Sequence, residues 1–183
     1  MHLAEGTGIA TLEEQMRFLV SLCLTASWIV AQPPAPQGNA PQDDPLALPE
    51  VRNYRLTMAK LEKWAAANRA VVPYQRDNIE KIKNKPDPPP GQAHTLDAMV
   101  QWTRKTYPEH VRLVERAGIP FKEYLIVDFA LKAASGAAFM AERGQQPPPG
   151  MFINKANVEF CKANKEKITA MYAEFQQLLV GHK

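Results

Sequence analysis

Apolar residues recur at steps of three and four from Leu48 onward, which is the spacing of one face of an α-helix. The first segment with this spacing contains Val51, Tyr54, Met58, Leu61 and Ala65. It predicts a helix over about residues 49–71, ended by Pro73. Asn68 continues its apolar face, either as a buried polar residue that fixes packing or where that face reaches the surface. No run of alternating β-branched residues indicates a strand, so the chain is predicted to be all-α.

Capping and turn residues divide the remainder of the domain into five further helices. They are predicted over residues 74–84, from a cap at Thr95 to Thr106, from Pro108 to a stop at Gly118, over residues 120–143, and from a cap at Asn154 to Gly181. Thr and Asn suit the N-cap because their side chains accept hydrogen bonds from free backbone N–H groups, and Gly ends helices in the left-handed conformation. Residues 48–183 are therefore expected to form a single compact bundle of five or six helices.

Residues 120–143 are the most apolar part of this domain and are hydrophobic on nearly every side. Such a helix lies either at the centre of a bundle or across a membrane. Asp128 and Lys132 would together cost about 5 to 7 kcal/mol inside a membrane, and the neighbouring Ala, Ser and Gly residues offer little in return. We therefore predict a central core helix, with the first and last long helices packed on it, and no stable membrane span in this domain.

The N-terminal part of the chain has a different pattern, an uninterrupted apolar run from Phe18 to Ala31 followed by a Pro/Gln-rich segment. The run has about 14 residues, which matches the apolar region of a signal peptide and is shorter than the ~20 residues of a membrane span. Residues 1–31 are predicted to be a signal peptide and residues 32–47 a disordered linker. The protein would then be exported, to the periplasm or outside the cell.

Two alternatives remain open at the N-terminus. The first 15 residues are acidic and contain no Lys or Arg, whereas signal peptides begin with basic residues. Met16 and Arg17 directly precede the apolar run, so translation from Met16 is a further hypothesis. The other alternative is a helix that is retained in the mature protein, either buried or at an interface.

The charge of the mature chain argues against binding to nucleic acid. Residues 1–31 contain one basic and three acidic residues, so the remainder has a net charge of +5. Its richest basic stretch, residues 81–85, is interrupted by Ile82 and Asn84. Nucleic-acid binding requires a more concentrated positive surface, and a solvated helix face is the better interpretation.

The cysteine and histidine residues predict neither a cofactor nor a metal site. Cys161 is the one cysteine after residue 31, so packing must hold the mature domain together, and we interpret Cys161 as a small core residue. It is followed by Lys-Ala-Asn-Lys, which excludes the Cys-x-x-Cys-His sequence of covalent haem. His94, His110 and His182 lack the spacing that places two metal ligands on one helix face.

Two short segments carry a resemblance to a known group of proteins. Ala117-Gly-Ile-Pro-Phe-Lys-Glu-Tyr124 with the alanine-rich helix behind it, and Asn154-Lys-Ala-Asn-Val158, resemble segments of small exported helical proteins of environmental bacteria. One member of that group has Thr-Pro where this chain has Pro120-Phe121. Because the group has no assigned activity, the resemblance implies a shared fold and no particular site.

Tyr124, Asp128 and Lys132 are the candidate polar site, since their spacing of four residues places them on nearly the same side of the central helix. If they line a pocket, the carboxylate and the amine could bind a polar ligand, whereas the alternative is an Asp–Lys pair at the surface. The predicted function is a non-catalytic module that binds an unidentified protein or small molecule. The alternative is a small cofactor-free enzyme built around Asp128 and Lys132. An exposed apolar patch would favour the module, and a pocket lined by these two residues would favour the enzyme.

Overall fold

The computed structural model describes residues 45–85, 95–146 and 153–181, and every regular element within these ranges is helical. A 3-10 helix over Pro45–Ala47 is followed by eight α-helices: α1 (Pro49–Arg52), α2 (Met58–Asp77), α3 (Ile79–Lys83), α4 (Leu96–Thr106), α5 (Pro108–Arg116), α6 (Phe121–Glu142), α7 (Lys155–Ala163) and α8 (Lys165–Val180). The predicted all-α class is confirmed. The described part contains more helices than the five or six expected, because two of the predicted helices are divided.

The predictions for the N-terminus lie outside the described residues. This holds for the signal peptide over residues 1–31, for the start at Met16, and for all but the end of the linker over residues 32–47. The last three residues of that linker form the 3-10 helix, and its Leu46 packs against the hydrophobic core. The packed domain therefore begins slightly before residue 48.

Helix α6 occupies the centre of the bundle. It contacts α1, α2, α4, α5 and α7, and every residue from Tyr124 to Leu131 is buried. Within the described ranges it is the one helix long and apolar enough to cross a membrane, yet 56% of its most apolar window is buried inside the protein. Length and composition are shared by the core helices of soluble bundles, and the burial is what a central helix requires.

The first predicted helix is interrupted after Arg52, and α2 begins only at Met58. Thr57 caps α2, because its hydroxyl accepts a hydrogen bond from the Lys60 backbone N–H over 3.4 Å. The side chain of Asn157, on α7, accepts a hydrogen bond from the backbone N–H of Leu56 over 2.9 Å. A contact with a distant part of the chain thus holds these residues in a turn where the local spacing predicts a continuous helix.

The prediction that Pro73 ends the first long helix is wrong, since Pro73 lies inside α2. Proline in a helix interior removes one backbone hydrogen bond and costs about 3 kcal/mol. Val71 and Val72 before that position and Gln75 after it are buried, so packing offsets the cost. The helix ends one turn later, where the Asn78 side chain donates to the Tyr74 carbonyl over 2.9 Å.

Asn164 divides the last predicted helix into α7 and α8. Its φ of −116° and ψ of 20° leave the helical region, and its side-chain amide donates to the Phe160 carbonyl over 2.8 Å. This local hydrogen bond competes with the helical backbone pattern, as asparagine side chains often do. Helix α7 then packs along α6, whereas α8 packs chiefly against α2. The last long helix therefore contacts the central helix mainly through its first part.

Three predicted helix boundaries are confirmed. Thr95 accepts a hydrogen bond from the Ala98 backbone N–H over 3.1 Å, and Asn154 accepts one from the Asn157 backbone N–H over 3.3 Å. Gly118 follows α5 with a φ of 85°, a conformation that side chains with a Cβ rarely adopt. Local capping chemistry was sufficient to place these three boundaries.

Candidate functional site

Asp128 and Lys132 form an ion pair along α6. The Asp128 Oδ2 atom lies 2.7 Å from the Lys132 Nζ atom, and the exposed fractions of the two side chains are 5% and 30%. The spacing of four residues brings them together, as expected from helical geometry. The carboxylate is buried and the lysine covers it from the surface. The pair is therefore neither fully at the surface nor open to a pocket, the two arrangements considered from the sequence.

Tyr124, the third predicted site residue, has its hydroxyl directed toward α2. The hydroxyl donates a hydrogen bond to the Asn68 Oδ1 atom over 3.2 Å, and the Asn68 Nδ2 atom donates to the Trp64 carbonyl over 2.9 Å. Asn68 is 6% exposed, so it is a buried polar residue and not the point where the apolar face of α2 reaches the surface. This hydrogen bond ties α2 to α6, which is a structural role.

One atom of the candidate site lacks a partner. The Asp128 Oδ1 atom is buried and accepts no hydrogen bond from the described residues. Buried carboxylate oxygens without partners are uncommon in folded proteins, and such an atom usually marks strain, a bound water or ion, or a functional role. This unpartnered oxygen is the feature of the Asp128–Lys132 pair that favours a functional role.

The two best-formed concave regions among the described residues are not lined by Tyr124, Asp128 or Lys132. The first, beside α1, α6 and α7, has a volume of about 10 Å³, which is near the lower limit for a single water molecule. The second is an open depression of about 360 Å³ on α5, lined by Arg112, Glu115 and Arg116. Neither places a substrate against the predicted carboxylate and amine.

His110 has no second metal ligand at helical spacing, and the sequence did not predict that it is buried in the core. It is 5% exposed, and its ring meets those of Phe121 and Tyr124 edge-on at centroid distances of 5.7 and 6.3 Å. Burial lowers the pKa of His110 from 6.5 to about 4, so the ring is neutral at pH 7. Val111 and Val114 are buried on the same helix, and the helical spacing of these positions was the signal that could have identified His110 as a core residue.

Asn157 is a second buried polar residue that was not predicted. It is 2% exposed, accepts from the Leu56 backbone N–H over 2.9 Å, and donates from Nδ2 to the Tyr54 carbonyl over 2.8 Å. Asn154 adds a bond from its Nδ2 atom to the Arg52 carbonyl over 2.9 Å. Both asparagines lie at the start of α7 and hold the turn between α1 and α2. The sequence shows that Asn154 and Asn157 are close together, but it does not show that they bind backbone groups about 100 residues earlier in the chain.

Cys161 lies on α7 and packs against α6. It is 4% exposed, and its Sγ atom lies 3.6 Å from the Ser135 Oγ atom. Burial raises the pKa of the Cys161 thiol, while the contact with Ser135 opposes that shift more weakly. A buried thiol with a raised pKa is a poor nucleophile, which agrees with its interpretation as a core residue.

Comparisons of the chain with protein-family models, with curated proteins and with solved structures gave no match. Among the described residues, no three His, Cys, Asp or Glu side chains are grouped so that they could hold a metal ion. The function must therefore be argued from the residues and contacts above.

Proposed function

We propose that the chain is an exported helical domain that binds a protein or a small molecule and does not itself catalyse a reaction. The closed Asp128–Lys132 pair is the observation that carries this proposal. A catalytic acid or base must come within hydrogen-bond distance of its substrate. Here the carboxylate is 5% exposed and is covered by Lys132 at 2.7 Å. The resemblance to small exported helical proteins remains part of the proposal.

Export is supported by the apolar run from Phe18 to Ala31 and the proline-rich segment after it. The test is N-terminal sequencing of the protein recovered from the periplasm or medium of an expressing bacterium. We expect the mature protein to begin at Gln32. Retention of residues 1–31 in the recovered protein would refute the cleavable signal peptide and favour the retained helix.

The described surface favours a polar partner over an apolar one. Val180, which is 81% exposed, is the one large apolar side chain that is fully exposed in residues 45–85, 95–146 and 153–181. The depression on α5 is instead lined by the charged residues Arg112, Glu115 and Arg116. Glu115 lies 2.6 Å from Arg104, and Arg116 lies 2.8 Å from Glu109. The apolar patch considered from the sequence is not found in this part of the chain. A binding surface here would act through charge and would weaken as salt is added.

The test is capture of partners on the immobilised protein at low and high salt, with mass spectrometry of what is retained. The variant Arg112→Glu/Arg116→Glu should lose the specific partner. Lys162→Glu/Lys167→Glu is a matched control, because these lysines are also exposed and paired with carboxylates, but lie on α7 and α8. Equal capture by the two double variants would refute the α5 surface. Absence of any specific partner or small-molecule ligand would refute the binding function.

A cofactor-free enzyme is the second candidate, favoured by the unpartnered Oδ1 atom of Asp128. Such an atom could accept a proton or hydrogen bond from a substrate that enters when Lys132 swings toward solvent. Asp128→Ala and Lys132→Ala would distinguish the two roles through their free energies of unfolding. Unchanged stability in both variants would support a functional site, and a large loss of stability in both would support a structural pair.

A further inference from the structure

His110 lies where α5 packs on α2 and α6. It is 5% exposed, and Val111 and Val114 are buried beside it at 2% and 0%. Helix α5 is a separate short element, because Pro108 begins it and Gly118, with a φ of 85°, follows its end. It contacts α2, α4 and α6, and its buried residues are His110, Val111 and Val114. This buried face attaches α5 to the bundle together with the surface ion pair between Arg104 on α4 and Glu115.

The groups described as facing His110 carry no negative charge that could balance a second proton. From α6 these are Phe121 and Tyr124, and the phenol of Tyr124 already donates to Asn68 on α2. The buried residues of α2 are Leu61, Trp64, Ala65, Ala67, Asn68, Val71, Val72 and Gln75, none of which is charged. The charged residues of α4 are Asp97, Arg104 and Lys105, and all three are exposed. Between α4 and α5, the buried Tyr107 contacts the ring of Trp102.

The carboxylates nearest along the chain do not compensate for a charge on His110. Glu109 and Glu115 are on α5 itself, and both form ion pairs with arginines at the surface. Asp128, one turn beyond Tyr124 on α6, is paired with Lys132. The Nδ1 atom of His110 is buried and has no hydrogen-bond partner in the described part of the chain. A proton on that atom would place an uncompensated charge between packed helices.

We propose that protonation of His110 releases α5 from α2 and α6, so that the domain keeps this face closed at neutral pH and opens it in acid. Opening brings the imidazolium into water and uncovers the stacked rings of Phe121 and Tyr124. The released surface is apolar and aromatic, in contrast to the charged outer surface of α5. This pH-dependent opening of α5 goes beyond the proposed binding function and does not depend on the identity of any partner.

The size of the effect follows from linkage. Burial alone lowers the pKa of His110 from 6.5 to about 4, and an opened α5 returns the ring to its ordinary value. The equilibrium constant for opening then increases about 8-fold from pH 7 to pH 5.5 and about 60-fold from pH 7 to pH 4.5. Other helix contacts, such as those between α6 and α7, do not include this group and should remain closed over the same range.

The test is amide hydrogen exchange of the full chain at pH 7, 5.5 and 4.5, read by mass spectrometry and corrected for the intrinsic pH dependence of exchange. We expect peptides from α5 to lose protection by the factors above while peptides from the second half of α6 keep theirs. The variant His110→Phe keeps an aromatic ring and cannot titrate, so its α5 should show no such loss. If Phe perturbs the packing, His110→Gln provides a polar residue that also does not titrate.

Several results would overturn the proposal. One is equal protection of α5 in the wild type at all three pH values. Another is the same loss in both non-titrating variants as in the wild type. Simultaneous loss of protection in α5 and α6 would indicate acid unfolding of the whole domain instead. The pKa of His110, followed through its ring C–H resonances by NMR and assigned by the variants, should lie well below 6.5. A value near 6.5 in the folded protein would also contradict the proposal.

Discussion

Replacement of Asn157 by leucine removes the two hydrogen bonds that hold the turn between α1 and α2. The bonds run from the Leu56 N–H to Oδ1 and from Nδ2 to the Tyr54 carbonyl, with lengths of 2.9 and 2.8 Å. Leucine has the same branching of side-chain heavy atoms as asparagine but is larger, so the substitution removes both hydrogen bonds and leaves no cavity. Asn164→Leu is the matched control, because the Asn164 Nδ2 atom bonds a carbonyl at 2.8 Å, but that carbonyl belongs to Phe160, only four residues earlier in the chain.

The expected loss of stability follows from the backbone groups that no longer bind the Asn157 side chain. A buried backbone group without a partner costs about 1 to 3 kcal/mol. The Leu56 N–H is buried and should contribute near the upper end of this range, whereas the Tyr54 carbonyl keeps a second hydrogen bond, from the Asn154 Nδ2 atom over 3.2 Å, and should contribute little. We therefore expect Asn157→Leu to lower the free energy of unfolding by about 3 kcal/mol, and Asn164→Leu by about 1 kcal/mol or less.

Asn157→Asp should destabilise the protein by an amount that depends on pH. The carboxylate can still accept from the Leu56 N–H, but its other oxygen faces the Tyr54 carbonyl, and the site is 2% exposed. Burial raises the pKa of this carboxyl above its unfolded value, so its destabilising effect is present at neutral pH and disappears as the pH falls. When protonated, the group can again donate to the carbonyl. The stability gap to the wild type should therefore narrow between pH 7 and pH 4.

Urea unfolding of the full chain, followed by circular dichroism at 222 nm, measures these differences. With a denaturant slope of about 1.5 kcal/mol per M, a loss of 3 kcal/mol moves the midpoint by about 2 M. A leucine variant within about 0.5 kcal/mol of the wild type would refute the conclusion that Asn157 holds the turn. A gap for the aspartate variant that widens in acid would contradict the proposed contact with the carbonyl.

Four further predictions concern other parts of the fold. Lys132→Met should lower the free energy of unfolding by about 2 to 4 kcal/mol, because it leaves the buried carboxylate of Asp128 without its partner. The double variant Lys132→Met/Asp128→Asn should recover part of that loss. Urea unfolding of the two variants measures the difference, and a double variant no more stable than Lys132→Met would contradict the prediction. Cys161 should resist iodoacetamide in the folded protein and react in urea, as read by mass spectrometry; rapid labelling without urea would show that burial does not protect the thiol. Pro73→Ala should raise stability by about 1 to 2 kcal/mol, since it restores a helical hydrogen bond at some cost in unfolded-state entropy, and a lower thermal midpoint would contradict it. Gly118→Ala should cost about 1 kcal/mol from its φ of 85° alone, because no atom lies within 4 Å of the added Cβ; thermal unfolding with no decrease in midpoint would argue against that conformation.

The candidate site was only partly predictable. The four-residue spacing along one helix is a local property, and it placed Asp128 and Lys132 in contact at 2.7 Å. Whether the pair faced solvent, a pocket or the core depended on which helices pack beside it. Tyr124 has the same spacing, yet its hydroxyl bonds Asn68, which is 56 residues away. His110 was dismissed because no second metal ligand accompanied it, whereas its burial depends on aromatic residues of the following helix.

Local chemistry alone determined the helical class, the caps at Thr95 and Asn154, and the central place of the most apolar helix. Each depends on residues within a few positions of one another, where hydrogen bonding and apolar periodicity act directly. The turn before α2 instead depends on Asn157, about 100 residues further along the chain. Continuation of α2 through Pro73 likewise depends on burial that offsets a local cost. Side-chain hydrogen bonds and burial between distant segments exist only after the helices have packed, so no local pattern could reveal them.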